Sequence, residues 1–434
     1  MPKFQTLKGF KDVLPEEFPY WRFVLNKALD LADRYGYRQI DTPILEETRL
    51  FLRGLQEGTA IILDKELYSF EDLDGSNISL RPEFTAGVMR AYVQHGMHTR
   101  PKPVKLFAIG PLFRHEKPQA GRFRQHTQFN AELLGEEDPA ADLEIMQLAY
   151  HLYKELGFQG VSFQINSIGC PTCRPAYIER LVNYFESHYD DLPEVDRRRL
   201  KVNPLRVLDT KEEATLALLA DAPKSADHLC HDCADHFDTL QGYLQALEMP
   251  YQVNFRLVRG FDYYVRTVFE VWAQELGAQN ALCGGGRYDG LVASVGGPKT
   301  PGVGVGIGIE RIVLSLKAQD IQPPPLPGPW VMALHRGREA KLAALKLIDA
   351  LRAAGLPAVL AFGDRSLKSQ LKSANKAGVR FAAIIAEEEL ARGVAAMRDM
   401  ETGEQVEVPL DHALSWLQSK RSGHPPAASP QPAG

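Results

Sequence analysis

The chain reads as an α+β protein: a mostly antiparallel sheet flanked by helices, interrupted by a mainly helical insertion and followed by a small α/β domain. Three observations carry that expectation. Short β-like stretches run to Glu132 and resume at Gln252, whereas the stretch from about Cys170 to Glu248 is charged and helical in its spacing. Pro323-Pro-Pro-Leu-Pro-Gly-Pro329 is too proline-rich for regular structure and stiff enough to act as a spacer. Beyond it, strand-like and helix-like segments alternate, the pattern of a parallel-rich sheet. The boundaries read as 1–169 and 249–321 for two parts of a sheet-bearing core, 170–248 for the insertion and 322–329 for the linker. The α/β domain takes 330–420, and 421–434, dominated by Ser, Pro, Ala and Gly, reads as a disordered tail.

The elements follow in order. Pro15 to about Gly36 has apolar residues at helical spacing and is expected to form an amphipathic helix. Glu83 to Tyr92 reads as a helix, and Val104 to Ile109 as an apolar strand entering a loop with Pro118 and Gly121. The chain then returns as a strand whose alternate residues Arg124, His126, Gln128, Asn130 and Glu132 share one face. Such a face is either solvated or lines a polar pocket; Arg114, Arg122 and Arg124 nearby favour a pocket for a polyanion. Pro139 to Leu156 is a helix stopped by Gly157. After the linker come a strand (Trp330 to Leu334), a helix (Glu339 to Ala354), a strand (Ala358 to Ala361), a basic helix (Ser366 to Ala377) and a strand (Phe381 to Ala386).

Three segments carry chemistry. Arg256-Leu-Val-Arg-Gly-Phe-Asp-Tyr-Tyr-Val-Arg266-Thr crowds three arginines around two adjacent tyrosines. A salt-bridged surface hairpin is one reading. The other is a site where permanent guanidinium charge meets phosphate beside a flat phenolic wall. Cys283-Gly-Gly-Gly-Arg-Tyr-Asp-Gly290 lets backbone approach a ligand where a side chain would clash. Gly302-Val-Gly-Val-Gly-Ile-Gly-Ile-Glu-Arg311 alternates glycine with branched residues, suiting a strand closely approached on one face, and it places Arg311 at the start of a helix. Neither G-x-x-x-x-G-K-[ST] nor a G-x-G-x-x-G opening a βαβ unit is present, so the two common nucleotide folds are disfavoured.

Composition bounds the rest. With 434 residues the chain can hold two or three domains, and its formal net charge of -5 argues against a sequence-independent coat for nucleic acid. Local basic patches for RNA are not excluded. Met1-Pro-Lys-Phe-Gln lacks the apolar core of a signal peptide and no run reaches membrane-spanning length, so a cytoplasmic location is expected. Cys170-Pro-Thr-Cys173 and Cys230-His-Asp-Cys233 are two C-x-x-C pairs. They are either structural zinc ligands, at a spacing far wider than a compact ribbon, or reduced pairs at helix starts. Cys283 reads as packing.

On these residues the chain resembles the histidyl-tRNA synthetases, a class II aminoacyl-tRNA synthetase family. Phe113-Arg-His-Glu116 resembles the second class-defining motif and Gly306-Ile-Gly-Ile-Glu-Arg311 the third. Tyr37 to Glu46, containing Pro43, resembles the first, which implies a homodimer interface. Leu257 to Tyr264 and Gly284 to Gly290 resemble two signatures peculiar to the histidine enzymes, and the likeness runs from about Leu7 to about Leu417. It implies ATP-dependent ligation of L-histidine to tRNA(His) through a histidyl-adenylate, with ATP and Mg²⁺ required.

Residue by residue, the resemblance implies that Glu83 holds the substrate α-ammonium with help from Thr85. Gln128 and Glu132 would line the amino-acid pocket, and Tyr263 and Tyr264 would face the imidazole. Arg114 would bind the ATP α-phosphate, Glu116 the adenine edge, and Arg311 the γ-phosphate end beside Arg122. Arg259 would sit near the α-phosphate, so Arg259 and Arg114 are the candidate catalytic residues. The sequence departs from the family pattern at His126, where an aromatic ring usually stacks on adenine, at Thr127, usually histidine, and near Asn130, where a glycine is missing. The terminal domain resembles an anticodon-binding domain. There Arg365, Lys368, Lys372 and Lys376 form a cationic set that is either a solvated face or an RNA contact.

Two rival functions are weighed: a histidine-sensing paralogue resembling the ATP phosphoribosyltransferase regulatory subunit, and an RNA-binding module without ligase activity. Such paralogues generally lack the terminal domain and the ATP-facing arginines, whereas Arg114, Arg259 and Arg311 stand here.

Overall fold

A computed structural model describes residues 4–53, 65–117, 121–259, 262–273 and 281–422. Pro118, Gly260, Phe261 and the tail from Gly423 lie outside the described residues. The chain divides into two compact units, Met1–Pro323 and Pro324–Gly434. Among the described residues no helix is long and apolar enough to cross a membrane.

The first unit contains strands β1 (Arg38–Gln39), β2 (Leu45–Glu47), β3 (Tyr68–Glu71), β4 (Asn77–Leu80), β5 (Val104–Phe113), β6 (Gln125–Leu134), β7 (Ser162–Ser167), β8 (Tyr251–Val253), β9 (Val265–Trp272), β10 (Ala281–Arg287) and β11 (Gly302–Gly308). Eight of them form one sheet in the order β1-β5-β6-β11-β10-β9-β7-β8. Its interior pairings are antiparallel, and only the edge pairs β1–β5 and β7–β8 run parallel. The arrangement is the α+β, mostly antiparallel one that the sequence indicates. Strands β2, β4 and β3 make a separate small sheet.

Alternation decides which face of the large sheet is buried. Phe129, Ala131 and Leu133 of β6, Phe269 and Val271 of β9, and Val303, Val305 and Ile307 of β11 point into one core. Four helices close it: Phe18–Arg34, Pro139–Glu155, His231–Ala246 and Ile309–Ala318. The helix Pro139–Glu155 starts at Asp138, whose carboxylate accepts the Ala140 N–H at 2.8 Å, and stops before Gly157 at φ +92°. From its first turn, fully buried Asp142 pairs with the fully buried Arg287 of β10, whose guanidinium also reaches the carbonyl of Glu136 at 2.9 Å. This buried pair anchors the glycine-rich strand to the helix beneath it.

Between β7 and β8 lie the helices Arg174–Ser187, Glu194–Val202, Glu213–Leu218 and His231–Ala246. The first two surround a small core of their own that includes Tyr177, Leu181, Phe185 and Leu200. The last of the four instead packs Phe237, Leu240 and Leu244 against the main sheet.

The second unit carries β12 (Val331–His335), β13 (Ala358–Leu360), β14 (Phe381–Ile385), β15 (Val394–Asp399) and β16 (Gln405–Pro409), ordered β13-β12-β14-β15-β16. β12 pairs in parallel with both neighbours, but β14–β15 and β15–β16 are antiparallel. The expected parallel-rich sheet is therefore mixed, completed by a hairpin that the sequence did not disclose. Asp399 turns it by accepting the N–H groups of Glu401 and Thr402 at 2.9 and 3.1 Å, with Gly403 at φ +79°.

Candidate active site

The face of the large sheet opposite the core carries the candidate site. Because Phe129, Ala131 and Leu133 are buried against helices, Gln128, Asn130 and Glu132 emerge on the other side of β6. Register sets Gly304 beside Glu132 and Gly306 beside Asn130. A side chain on Gly304 would run into the Glu132 carboxylate, and one on Gly306 would come within 2.7 Å of Gln128 Nε2. On β10 a Cβ at Gly284 would overlap the Arg259 guanidinium, and one at Gly286 would lie 2.9 Å from the Tyr264 ring. The glycines are thus a floor, and the polar side chains lie across it.

The pocket wall is built from four separate segments. Tyr263 donates its hydroxyl proton to Glu83 Oε2 at 2.8 Å, just ahead of the helix Thr85–Gln94. Thr85 Oγ1 donates to Glu132 Oε1 at 2.6 Å, and the Tyr288 hydroxyl donates to Glu132 Oε2. The rings of Tyr263 and Tyr264 lie 4.7 Å apart, and Tyr288 meets Tyr263 edge-on at 6.0 Å. Burial raises the carboxyl of Glu83, with Tyr263 and Arg114 pulling the other way. Burial likewise pushes Glu132 up to about 8, against the bonds from Thr85, Tyr288 and Asn130. Two buried carboxyls walled by phenols fit a small ligand bearing positive charge.

Cations border this pocket. Arg259 Nη1 donates to Glu270 Oε1 at 2.9 Å, and its buried Nε has no hydrogen-bond partner among the described residues. Burial works against its charge, but Tyr264, Glu270 and Tyr263 hold its pKa above the usual guanidinium value. Arg114, anchored by Nε on the Pro82 carbonyl at 2.9 Å, acts electrostatically on both Glu83 and His126. Glu116 stands 3.8 Å from Arg114 and 3.7 Å from Arg122. Arg311 gives Nη1 to the Ala281 carbonyl at 2.5 Å; burial and then Arg122 lower its pKa. Burial, Arg114 and Arg311 together depress His126 to about 3, so its ring is a neutral plane amid arginines. The Thr127 N–H donates to Glu310 Oε1 at 2.7 Å, joining the start of the helix that bears Arg311 to β6.

A family model described as histidyl-tRNA synthetase matches residues 9–312, and one described as anticodon binding domain matches residues 330–420. The chain belongs to the histidyl-tRNA synthetase family. It is 46% identical to a histidine--tRNA ligase of Dehalococcoides mccartyi over 96% of this chain and 100% of that protein. With the histidine--tRNA ligase of Pelotomaculum thermopropionicum it shares 47% identity over 96% of this chain and 98% of the relative. The crystal structure of apo Staphylococcus aureus histidyl-tRNA synthetase matches with a TM-score of 0.80 and 33% identity, covering 95% of this chain and 99% of that one.

Within the family frame, Glu83, Thr85, Gln128, Glu132, Tyr263, Tyr264 and Arg259 lie around one glycine floor, and Arg114 reaches electrostatically from Glu83 to the neighbourhood of His126 and Arg311. Sequence reasoning gave no role to Tyr288, Glu270 or Arg287, although two lie in the quoted Gly284 to Gly290 segment. Tyr288 clamps Glu132, Glu270 holds Arg259 from the β9 position beside Gly284, and Arg287 anchors the strand. Asn130, near which the family's glycine is absent, is buried and donates to the Val305 carbonyl at 3.1 Å, bracing the floor. In the second unit Lys368, Lys372 and Lys376 are exposed on the helix Leu367–Lys376, but Arg365 precedes its Ser366 cap and folds back toward Phe362 and Ser373. The cationic set is therefore drawn from the helix and the turn before it. The thiols of Cys170, Cys173, Cys230 and Cys233 come together despite their separation in sequence.

Proposed function

We propose that this chain activates L-histidine with ATP and transfers it to tRNA(His). ATP is the substrate that membership of the family implies; here it is taken as the magnesium complex, so that Mg²⁺ arrives with the nucleotide. A histidine carboxylate oxygen attacks the α-phosphorus, the bond to the bridging oxygen breaks, and pyrophosphate leaves with that electron pair. No protein nucleophile is required. Glu83 and Thr85 orient the α-ammonium, Gln128, Glu132, Tyr263 and Tyr264 shape the imidazole slot, and Arg259 and Arg114 stabilise the charge that develops on the α-phosphate. Glu116 and His126 serve the adenine, and Arg122 and Arg311 the distal phosphates. A ribose hydroxyl of the tRNA then attacks the adenylate carbonyl, expelling AMP.

The single observation that supports this reading best is the meeting of a buried carboxyl-and-phenol pocket with the Arg259 guanidinium on one glycine floor. Selectivity follows without an editing domain, because groups arranged to hydrogen-bond an imidazole are left unpaired by apolar competitors.

Arg365, Lys368 and Lys372 are the proposed tRNA contacts of the second unit. A homodimer through Tyr37 to Glu46 is proposed with the family, supported by exposed Ile44 and Leu45. A cytoplasmic location goes with this role. Charging of a tRNA(His) transcript with labelled histidine tests the proposal: acylation that requires ATP supports it. Histidine binding without acylation would favour a sensor instead.

A further inference from the structure

Two C-x-x-C turns distant in sequence place four thiols in one cluster beside the pocket. Cys173 immediately precedes the helix Arg174–Ser187 and Cys230 the helix His231–Ala246, with Cys233 in the first turn of the latter. All four sulfur atoms lie within 4.8 Å of one another. Cys170 Sγ is 3.8 Å from Cys173 Sγ and 3.9 Å from Cys230 Sγ.

We propose that Cys170, Cys173, Cys230 and Cys233 bind one zinc ion in a closed, tetrahedral, all-thiolate site. A tetrahedron with zinc–sulfur bonds of about 2.3 Å has edges of about 3.8 Å, close to the separations of Cys170 from Cys173 and Cys230. A disulfide would need sulfurs at about 2.05 Å. Soft thiolates select zinc over magnesium or calcium, and four protein ligands leave no open position for a reacting water, so the role is structural.

The surroundings suit four thiolates. The Cys170 N–H points at Cys173 Sγ at 3.3 Å, and the positive ends of two helices offset part of the negative charge. Gly169, at φ +69°, makes room, since a Cβ there would come within 2.8 Å of Cys173 Sγ.

The site joins the end of β7 to a helix of the main core. Arg174, the residue after Cys173, donates to the carbonyls of Ile168 and Gly169 at 3.1 Å each and to that of Tyr264. Zinc at this corner would steady the turn against which the Tyr264 backbone rests. The proposal holds whichever amino acid the pocket takes.

Metal analysis of the full-length protein, purified without chelator or histidine tag, should find about one zinc per chain. Exchange with cobalt should produce the thiolate charge-transfer and visible bands of tetrahedral cobalt. Zinc content in Cys170→Ser/Cys230→Ser should fall by about tenfold or more. Because that variant could fail to fold, the wild-type zinc count and cobalt spectrum decide on their own. Wild-type protein free of zinc and taking up no cobalt would overturn the proposal. So would a Cys170–Cys173 or Cys170–Cys230 disulfide in protein as isolated, or a folded double variant that keeps its zinc.

Discussion

The Tyr263 hydroxyl donates to Glu83 Oε2 at 2.8 Å, so a phenol from the turn before β9 orients a buried carboxyl ahead of the helix Thr85–Gln94. Tyr263→Phe keeps the ring and removes the donor. Loss of one such bond costs about 1 kcal/mol, a roughly fivefold change in an equilibrium. The expected outcome is a rise of that size in KM for histidine with a smaller change in kcat. Steady-state kinetics check it, and an unchanged KM would separate Tyr263 from the amino-acid pocket.

Arg259 supplies the cation nearest the glycine floor, and Glu270 holds it in place. Arg259→His should reduce adenylate formation by ~10²–10³ while the protein stays folded, because one preorganised charge contact is worth a few kcal/mol of barrier. Single-turnover adenylate formation together with circular dichroism gives the answer. A wild-type rate in that variant would remove Arg259 from the reaction.

Glu132 controls a pH dependence. Its folded-state pKa, about 8, lies above the ordinary carboxyl value, so the fold favours the neutral form. That contribution is complete below the unfolded pKa and is lost as pH rises through about 8. Glu132→Gln has no such titration. Ligand-free wild type should therefore lose stability relative to this variant between about pH 5 and pH 8, by an amount on the order of a few kcal/mol. Thermal melts across that range test the sign; a constant difference would mean that Glu132 ionises normally.

Asp142 and Arg287 are both fully buried and paired. Burial raises the Asp142 carboxyl, yet Arg287 and His236 more than offset it and hold the group below its ordinary value. Asp142→Asn leaves the buried guanidinium with only the partly exposed Asp289 carboxylate, 3.2 Å away, and should destabilise the protein by up to about 3–5 kcal/mol. Denaturant unfolding measures this directly. A loss below about 1 kcal/mol would indicate that Asp289 and the Glu136 carbonyl suffice to hold the guanidinium.

Much of this site was legible in the chain because strand alternation is local. Polar residues at 126, 128, 130 and 132 and glycines at 302, 304, 306 and 308 each announce a face that is not core, and the two strands do pair. What escaped depends on register between distant strands. Glu270 gains its meaning only from standing beside Gly284 under Arg259, and Tyr288 only from reaching Glu132. The hairpin of β15 and β16 was hidden because Val394-Ala-Ala-Met-Arg-Asp399 lacks a branched, alternating pattern. The cysteine cluster was visible as two pairs, but only the packing of helix His231–Ala246 onto the sheet shows that they meet.

Amino-acid-dependent ATP–pyrophosphate exchange, run with each standard amino acid in turn, tests the activation of histidine in this pocket most directly. Exchange with histidine alone is expected, and it should disappear in Arg259→His. Exchange driven by another amino acid, or none with histidine in protein that is folded and saturated with ATP, would contradict it.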